Sequence, residues 1–221
     1  PMVLFNETFK AYNSFILLAV PFFFLSANLM NAGGITDRML RMSRALVGHF
    51  PGGLAQVNVV LSIFFAGISG SSTADAASQG KLFINAQVKE GYDISFSVAI
   101  TAVSAVLAVI IPPSILMIVW GGVLSVSIGG LFIAGILPGL LLGVVQMLTV
   151  HAYAKIRNYP TYPRATLKEL GAAAAVAIPA MMTPVIIIGG KVFGWFTATE
   201  SAAIAVLYSL GLSLFFYREL G

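Results

Sequence analysis

The segment Gly67-Ile-Ser-Gly-Ser-Ser-Thr-Ala-Asp75 is small, polar and flexible, and it lies between two apolar arms, Leu54 to Ala66 and Ala76 to Val88. This arrangement constrains the fold more than any other feature of the chain. A helix needs roughly 20 apolar residues to cross a bilayer, and neither arm has that length. Irregular backbone at membrane depth is tolerated only where it is packed in protein or lines a wet cavity. The pattern predicts a re-entrant helical hairpin that enters and leaves by one face, with the polar loop buried at its tip. A loop held in that way is a candidate binding site.

The membrane setting follows from composition. Hydrophobic residues make up 58% of the chain and charged residues 9%, with a mean hydropathy of +0.95. Soluble domains carry about 25% charged residues. The fold class expected is an all-α polytopic membrane protein. The absence of cysteine excludes disulfides and thiolate metal sites. The formal charge of +4 is not a nucleic-acid signature, because the basic residues lie in short loops between apolar runs. There is no phosphate loop, nucleotide fingerprint or metal-ligand spacing. The chain opens on Pro1 without a signal-peptide pattern and stops just after an apolar run, so a piece of a longer protein is expected.

Taken in order, Phe15 to Met30 is a first span with a kink expected at Pro21. Thr36 to Phe50 reads as an amphipathic helix on the membrane surface, with Thr36 as N-cap and Asp37 in the first turn. The hairpin follows and closes at Lys89 to Asp93. Ile94 to Ile111 is a new apolar run, stopped by Pro112-Pro113 and resumed over Ser114 to Leu124. Two consecutive prolines remove two amide donors and restrict Ile111 to extended geometry, which predicts two half-helices and an unwound link. Carbonyls freed there need a partner, and a cation serves. Leu131 to Tyr153 is a further span, Lys155 to Lys168 a polar loop, and Leu170 to Gly189 a span interrupted by Pro179 and Pro184. After a short turn from Lys191 to Phe196, Thr197 to Tyr217 is the last span.

Charge favours this topology. One face collects Arg38, Arg41, Arg44, Lys81, Lys89, Lys155, Arg157, Arg164, Lys168 and Arg218, and the other keeps Lys10 and Lys191, which is 10 against 2 of the 12 basic residues. The ten-residue face is therefore taken as cytoplasmic. Were residues 52–80 a single crossing, every later loop would change sides and the bias would collapse. A weak internal repeat pairs Pro21 and Gly33-Gly34-Ile35-Thr36 with Pro184 and Gly194-Trp195-Phe196-Thr197. Inverted repeats are common in transporters, and a second copy would begin near residue 184.

Each motif has a bland reading beside the functional one. Ser69, Ser71, Ser72 and Thr73 offer hydroxyls, and Gly67 and Gly70 let backbone carbonyls turn inward. Such oxygens suit a hard monovalent cation; the alternative is close helix packing through small residues. Asp75 is a costly carboxylate at depth. Capping the second arm is its favoured role, ahead of ion ligation. Gln56 and Asn58 are placed either to brace the loop or simply to pack. Thr197 followed by Glu200 is a capping box, preferred to a proton or cation role for the glutamate. Gly67-Ile-Ser-Gly70 matches the Gly-x-Ser-Gly of rhomboid intramembrane proteases, but a nucleophilic serine needs a base. The only histidines, His49 and His151, fall near the cytoplasmic surface.

At this point the residues resemble those of a known family, the large membrane subunit of tripartite ATP-independent periplasmic (TRAP) transporters. The likeness covers nearly the whole chain. It is carried by Pro21-Phe-Phe-Phe-Leu-Ser-Ala with Leu29-Met-Asn-Ala-Gly-Gly-Ile-Thr, by Leu46-Val-Gly-His with Gly52-Gly-Leu-Ala-Gln-Val-Asn, and by Phe65-Ala-Gly-Ile-Ser-Gly-Ser-Ser-Thr-Ala-Asp-Ala-Ala. Ile111-Pro-Pro-Ser and Phe196-Thr-Ala-Thr-Glu-Ser-Ala-Ala complete it. Ala108-Val109 stand where the family commonly has Gly-Pro, and Thr-Ala-Thr-Glu replaces the more usual Thr-Pro-Thr-Glu.

The resemblance implies an ion-transporter-superfamily elevator fold, here the first repeat plus the start of the second. Residues 1–50 would supply the first span and the cytoplasmic amphipathic helix of a scaffold, and 51–130 the re-entrant hairpin and broken helix of half a transport domain. Residues 131–183 would add a span, a loop and a span, and 184–221 would open the second inverted repeat. It implies a non-enzymatic, multi-pass protein of the bacterial inner membrane that imports small organic anions such as dicarboxylates or sialic acid with sodium as coupling ion. The partners implied are a small membrane subunit and a periplasmic substrate-binding protein. Sodium would sit between tip and link, at Ala66, Ser69 and Ser71 on one side and at the carbonyls of Ala108, Ile111 and Pro113 on the other. Gly70, Ser71, Ser72, Thr73 and Ser114 would face the substrate carboxylate. The rival readings are a single-component sodium- or proton-coupled carboxylate carrier of the same architecture and an intramembrane serine hydrolase.

Overall fold

The computed structural model describes residues 15–219 together with Phe5 and Phe9. Lys10, assigned above to the far face, lies outside the described residues. Every regular element among the described residues is helical.

A 3₁₀ turn, Phe15–Leu18, leads into α1, Ala19–Ala32. Pro21 falls in the first turn of α1, where a missing amide costs little, so it starts this helix and does not kink it. Gly33 and Gly34 then swing the chain by 73° into α2, Ile35–Val47. Gly34 sits at φ 65° and occupies the N-cap position. Helix α2 thus begins ahead of Thr36, which is not the cap; its hydroxyl donates to the Asn31 side chain. Helix α2 is amphipathic as expected: Ile35, Met39, Ser43 and Val47 are buried at four-residue intervals, while Arg41 and Arg44 are exposed.

The hairpin consists of α3, Gly53–Ser69, and α4, Ser72–Lys89. Helix α5, Ile94–Ala105, passes into a single turn, α6, Leu107–Ile110. The link Ile111–Ser114 follows, and α7, Ile115–Val123, leaves it at 42° to the first half. The break at Pro112-Pro113 thus lies where the two missing amides required it. Helix α8, Ile128–Arg157, and α9, Leu167–Val192, are long. Helix α10, Ala198–Gly211, ends in a π-helical turn, Leu212–Phe216. Among the described residues three helices are long and apolar enough to cross a membrane, α8, α9 and α10 with its π turn, or up to five if each bent pair counts as one span.

Helix α9 corrects one expectation. It runs unbroken through Pro179 and Pro184. The turn around Pro179 is tied to the last helix and the residue that follows its π turn: Tyr208 donates to the Pro179 carbonyl at 2.8 Å and Tyr217 to that of Val176 at 2.8 Å.

Helix α3 is the axis of the fold. Val57, Leu61 and Phe65 on it pack in one cluster with Phe83, Leu107 and Val150 from α4, α6 and α8. A second cluster joins Phe23, Phe132, Ile187 and Ala202 from α1, α8, α9 and α10. Small polar groups fasten these contacts. The Ser26 hydroxyl lies 2.8 Å from that of Ser209, tying α1 to α10. Gln56 and Asn58 play the packing role and not the bracing one. Gln56 donates to the Met147 carbonyl on α8 at 3.0 Å, and Asn58 to the Thr101 hydroxyl on α5 at 2.7 Å.

The base of the hairpin is clamped by the loop between α8 and α9. The Tyr162 amide donates to the Gly48 carbonyl at 3.0 Å, and the Gly53 amide to that of Pro160 at 3.1 Å. Gly53 has no room for a side chain, since a Cβ there would lie 2.4 Å from the Gly48 oxygen and 2.8 Å from the Tyr162 ring. The Tyr162 hydroxyl donates to Glu90, and Tyr159 donates to Asp93 at 2.9 Å. Asp93 is also ion-paired with Arg157 at 3.0 Å. Burial, reinforced by the Glu90 carboxylate, pushes Tyr162 up to about 12. Burial raises Tyr159 as well.

Candidate functional site

Helix α3 stops at Ser69 because Gly70 takes a left-handed backbone, φ 60°, that a side chain would resist. Ser71 is extended and caps α4: its hydroxyl accepts from the Ala74 amide at 3.4 Å and lies 3.1 Å from that of Thr73. The expected capping role of Asp75 is therefore taken by Ser71. Asp75 comes one residue after Ala74, too far along the first turn to reach the free amides from outside the helix. Ser69, nearly buried, accepts from the Ser71 amide at 3.3 Å.

The tip meets the link directly. The Ile115 amide donates to the Gly70 carbonyl at 3.2 Å. A Cβ on Gly70 would stand 2.8 Å from the Pro113 oxygen, so glycine here allows the two backbones to touch. Ser114 is fully buried; its hydroxyl donates to the Val109 carbonyl at 3.0 Å and accepts from the Met117 amide at 3.4 Å, capping α7. Ala66 and Ala108 are fully buried in the same cluster below the contact. The structure thus brings Ala66, Ser69, Gly70 and Ser71 to the same place as Ala108, Ile111, Pro113 and Ser114. Ser72 is half-buried and Thr73 exposed on the first turn of α4.

Four helix ends converge there. The C-termini of α3 and α6 bring carbonyls and partial negative charge; the N-termini of α4 and α7 bring amides and partial positive charge. One junction therefore offers oxygen ligands to a small cation and amides to an anion.

A cavity of about 60 Å³ adjoins the tip, between α1 and the hairpin. It is lined by Asn28 and Asn31 of α1, and by Ser69, Asp75 and Ser78 of the hairpin. Asp75 is 1% exposed, and its Oδ2 has no hydrogen-bond partner. Asn28, Asn31 and Ser78 were not singled out from the sequence. The signal that could have found them is two amide side chains, three residues apart, in an apolar span. Glu200 is in the capping box expected of it: its amide donates to the Thr197 hydroxyl at 3.2 Å, and its carboxylate accepts from the Thr197 amide at 2.7 Å. His49 lies against the Phe50 ring, tilted 44° to it, remote in sequence from Ser69 and with no hydrogen bond to it.

Comparison with known proteins gives one consistent answer. The family model described as "Tripartite ATP-independent periplasmic transporter, DctM component" matches residues 1–221. The chain is 44% identical over 208 residues to a sialic acid TRAP transporter permease protein of Haemophilus influenzae, a match covering 94% of this chain and 34% of that protein. It is 41% identical over 214 residues to a C4-dicarboxylate TRAP transporter large permease protein of Pseudomonas aeruginosa, covering 97% of this chain and 50% of the relative. A 2,3-diketo-L-gulonate TRAP transporter large permease protein of Escherichia coli is 40% identical over 208 residues, 94% of this chain and 49% of the relative. The chain thus spans half or less of the length of these relatives. Their names describe transporter permeases, in agreement with a protein that is not an enzyme.

Proposed function

Since the chain belongs to the DctM-component family of tripartite ATP-independent periplasmic transporters, we propose that it forms the first half of a sodium-coupled permease that imports small organic carboxylates. The carrying observation is the contact of hairpin tip and link, with the Ile115 amide on the Gly70 carbonyl. In this reading α3 and α4 are a re-entrant hairpin in the inner membrane. Sodium binds among Ser69, Ser71 and the carbonyls of Ala66, Ala108, Ile111 and Pro113, and holds tip and link together. The ordered tip then presents the amides of Gly70, Ser72 and Thr73 and the Ser71 hydroxyl to a carboxylate, and Ser114 joins them by releasing the Val109 carbonyl. Sodium and substrate are coupled because both draw on one backbone junction.

The elevator mechanism belongs to the same proposal: residues 51–130 move against a scaffold that includes α1, α2, α9 and α10. The substrate arrives on a periplasmic binding protein, and a small membrane subunit completes the scaffold. The relatives named for sialic acid and C4-dicarboxylates support an anionic substrate.

The test is uptake by the full-length complex in proteoliposomes, with its binding protein, under a sodium or a potassium gradient, across a panel of organic acids. Uptake that needs both sodium and the binding protein supports the reading. Sodium-dependent uptake without the binding protein supports a single-component carrier instead. Ser69→Leu and Ser71→Leu should each abolish sodium-dependent uptake with membrane insertion intact; normal uptake by both overturns the site.

A further inference from the structure

A groove of about 790 Å³ runs between α2 and the beginning of α9, on the face that collects most of the basic residues. Arg38, Arg41 and Arg44 line one wall, three residues apart and therefore on one side of α2. Arg164 stands at the loop end, and small apolar residues, Ala172, Ala173 and Val176, line the far wall.

The four arginines are not equivalent. Arg38 is committed inside the fold: it donates to the Gly34 carbonyl at 2.7 Å, pairs with Glu219 at 3.0 Å and lies over the Tyr217 ring at 4.2 Å. Arg44 lies over the Tyr162 ring at 4.7 Å. Arg41 and Arg164 are exposed and have no carboxylate partner among the described residues. The one acid in the lining is Glu169, and it is turned to the start of its own helix, where it accepts from the Thr166 amide at 2.7 Å and the Thr166 hydroxyl at 2.9 Å. With Arg38 paired to Glu219 and Glu169 turned to its own helix, Arg41 and Arg164 face the groove without a carboxylate among the described residues.

The far wall changes character along its length. It passes from Arg164 at the loop to alanines and a valine about two turns into an apolar helix. A ligand that fits must be anionic at one end and apolar at the other. We infer that the groove binds an anionic phospholipid, with the headgroup phosphate between Arg41 and Arg164 and an acyl chain along Ala172, Ala173 and Val176. Basic pockets beside membrane helices on the cytoplasmic side select acidic headgroups, at about fivefold in affinity per basic residue near the surface. The inference rests on membrane embedding and on the side assigned by the basic residues. It does not depend on sodium coupling or on the elevator.

The test is native mass spectrometry of the full-length permease with its small subunit, titrated with phosphatidylglycerol or phosphatidylcholine of matched chains. The wild type should retain phosphatidylglycerol about tenfold better than phosphatidylcholine. Arg41→Gln with Arg164→Gln should remove that preference, the double lysine variant should keep most of it, and Arg157→Gln, whose partner is Asp93, should leave it unchanged. Millimolar inorganic phosphate should not displace the lipid. Equal retention of the two lipids by the wild type overturns the inference and leaves the groove to the partner subunit. Displacement by phosphate alone overturns the lipid assignment in favour of a soluble phosphate, and an unchanged preference in the glutamine pair overturns the site. Uptake is not read in this experiment, so a failed transport model and a failed lipid site are told apart.

Discussion

Gly70 shows how much one residue decides. Its backbone is left-handed and its missing side chain lets the Pro113 carbonyl approach. Gly70→Ala should lose about 1–2 kcal/mol from backbone strain alone, and the added methyl should force tip and link apart. Gly91 separates the two effects, because it is also at positive φ, 90°, but has open space around its Cβ position. Thermal unfolding should respond to both substitutions, whereas the sodium concentration for half-maximal uptake should rise tenfold or more only for Gly70→Ala. Equal sodium responses would remove the tip–link contact from the ion site. Gly70 was legible in the sequence because a glycine in a polar run between short apolar arms has few other uses. The Asp75 environment was not. The sequence shows a carboxylate near a helix start, and only the three-dimensional packing shows that Ser71 fills the capping position and that Asp75 faces Asn28 and Asn31 across a cavity.

At the scale of elements, the polar glycine-containing run and the double proline announced the turn between α3 and α4 and the broken helix, since a left-handed glycine and lost amides act locally. The clamp at the hairpin base was invisible, because Tyr162, Glu90 and the Gly48–Gly53 segment are distant in sequence and meet only when α8 brings the loop back. Removing the hydroxyl in Tyr162→Phe leaves Glu90 without its donor and should cost about 1–2 kcal/mol, read as a lower unfolding temperature of the full-length protein. The pH dependence has a definite sign. Tyr162 is pushed up to about 12 by burial and by Glu90, and an unfolded chain releases that proton near pH ~10. The contribution of Tyr162 is complete below about pH 10 and is lost as pH rises through about 12. The stability difference between wild type and Tyr162→Phe should therefore shrink across that window. A constant difference would place the effect elsewhere. The uninterrupted α9 teaches a related point: the bonds from Tyr208 and Tyr217 that tie its Pro179 turn to the rest of the fold come from a segment whose position no local pattern reveals.

For the whole molecule, the proposed elevator makes opposite predictions for two cross-links, and the 221 residues contain no cysteine to confuse them. Ser26 and Ser209 touch across α1 and α10 at 2.8 Å, both within the proposed scaffold. A disulfide in Ser26→Cys with Ser209→Cys should leave uptake within about twofold of wild type. Gly67 lies where a Cβ would be 3.0 Å from that of Pro184, bridging the hairpin to α9. Oxidised Gly67→Cys with Pro184→Cys should stop uptake, and a reducing agent should restore it. Uptake that survives the second cross-link would mean that hairpin and α9 travel together. The length of α3 bears on the same motion. Its 17 residues, at about 1.5 Å each, reach roughly 25 Å into a hydrocarbon slab of about 30 Å. A re-entrant tip on such an arm stops about one helical turn short of the opposite water. The seal against leakage would then be very unequal, thin on one side and several turns thick on the other. A displacement of only a few ångströms along the membrane normal would decide which aqueous phase wets the serines.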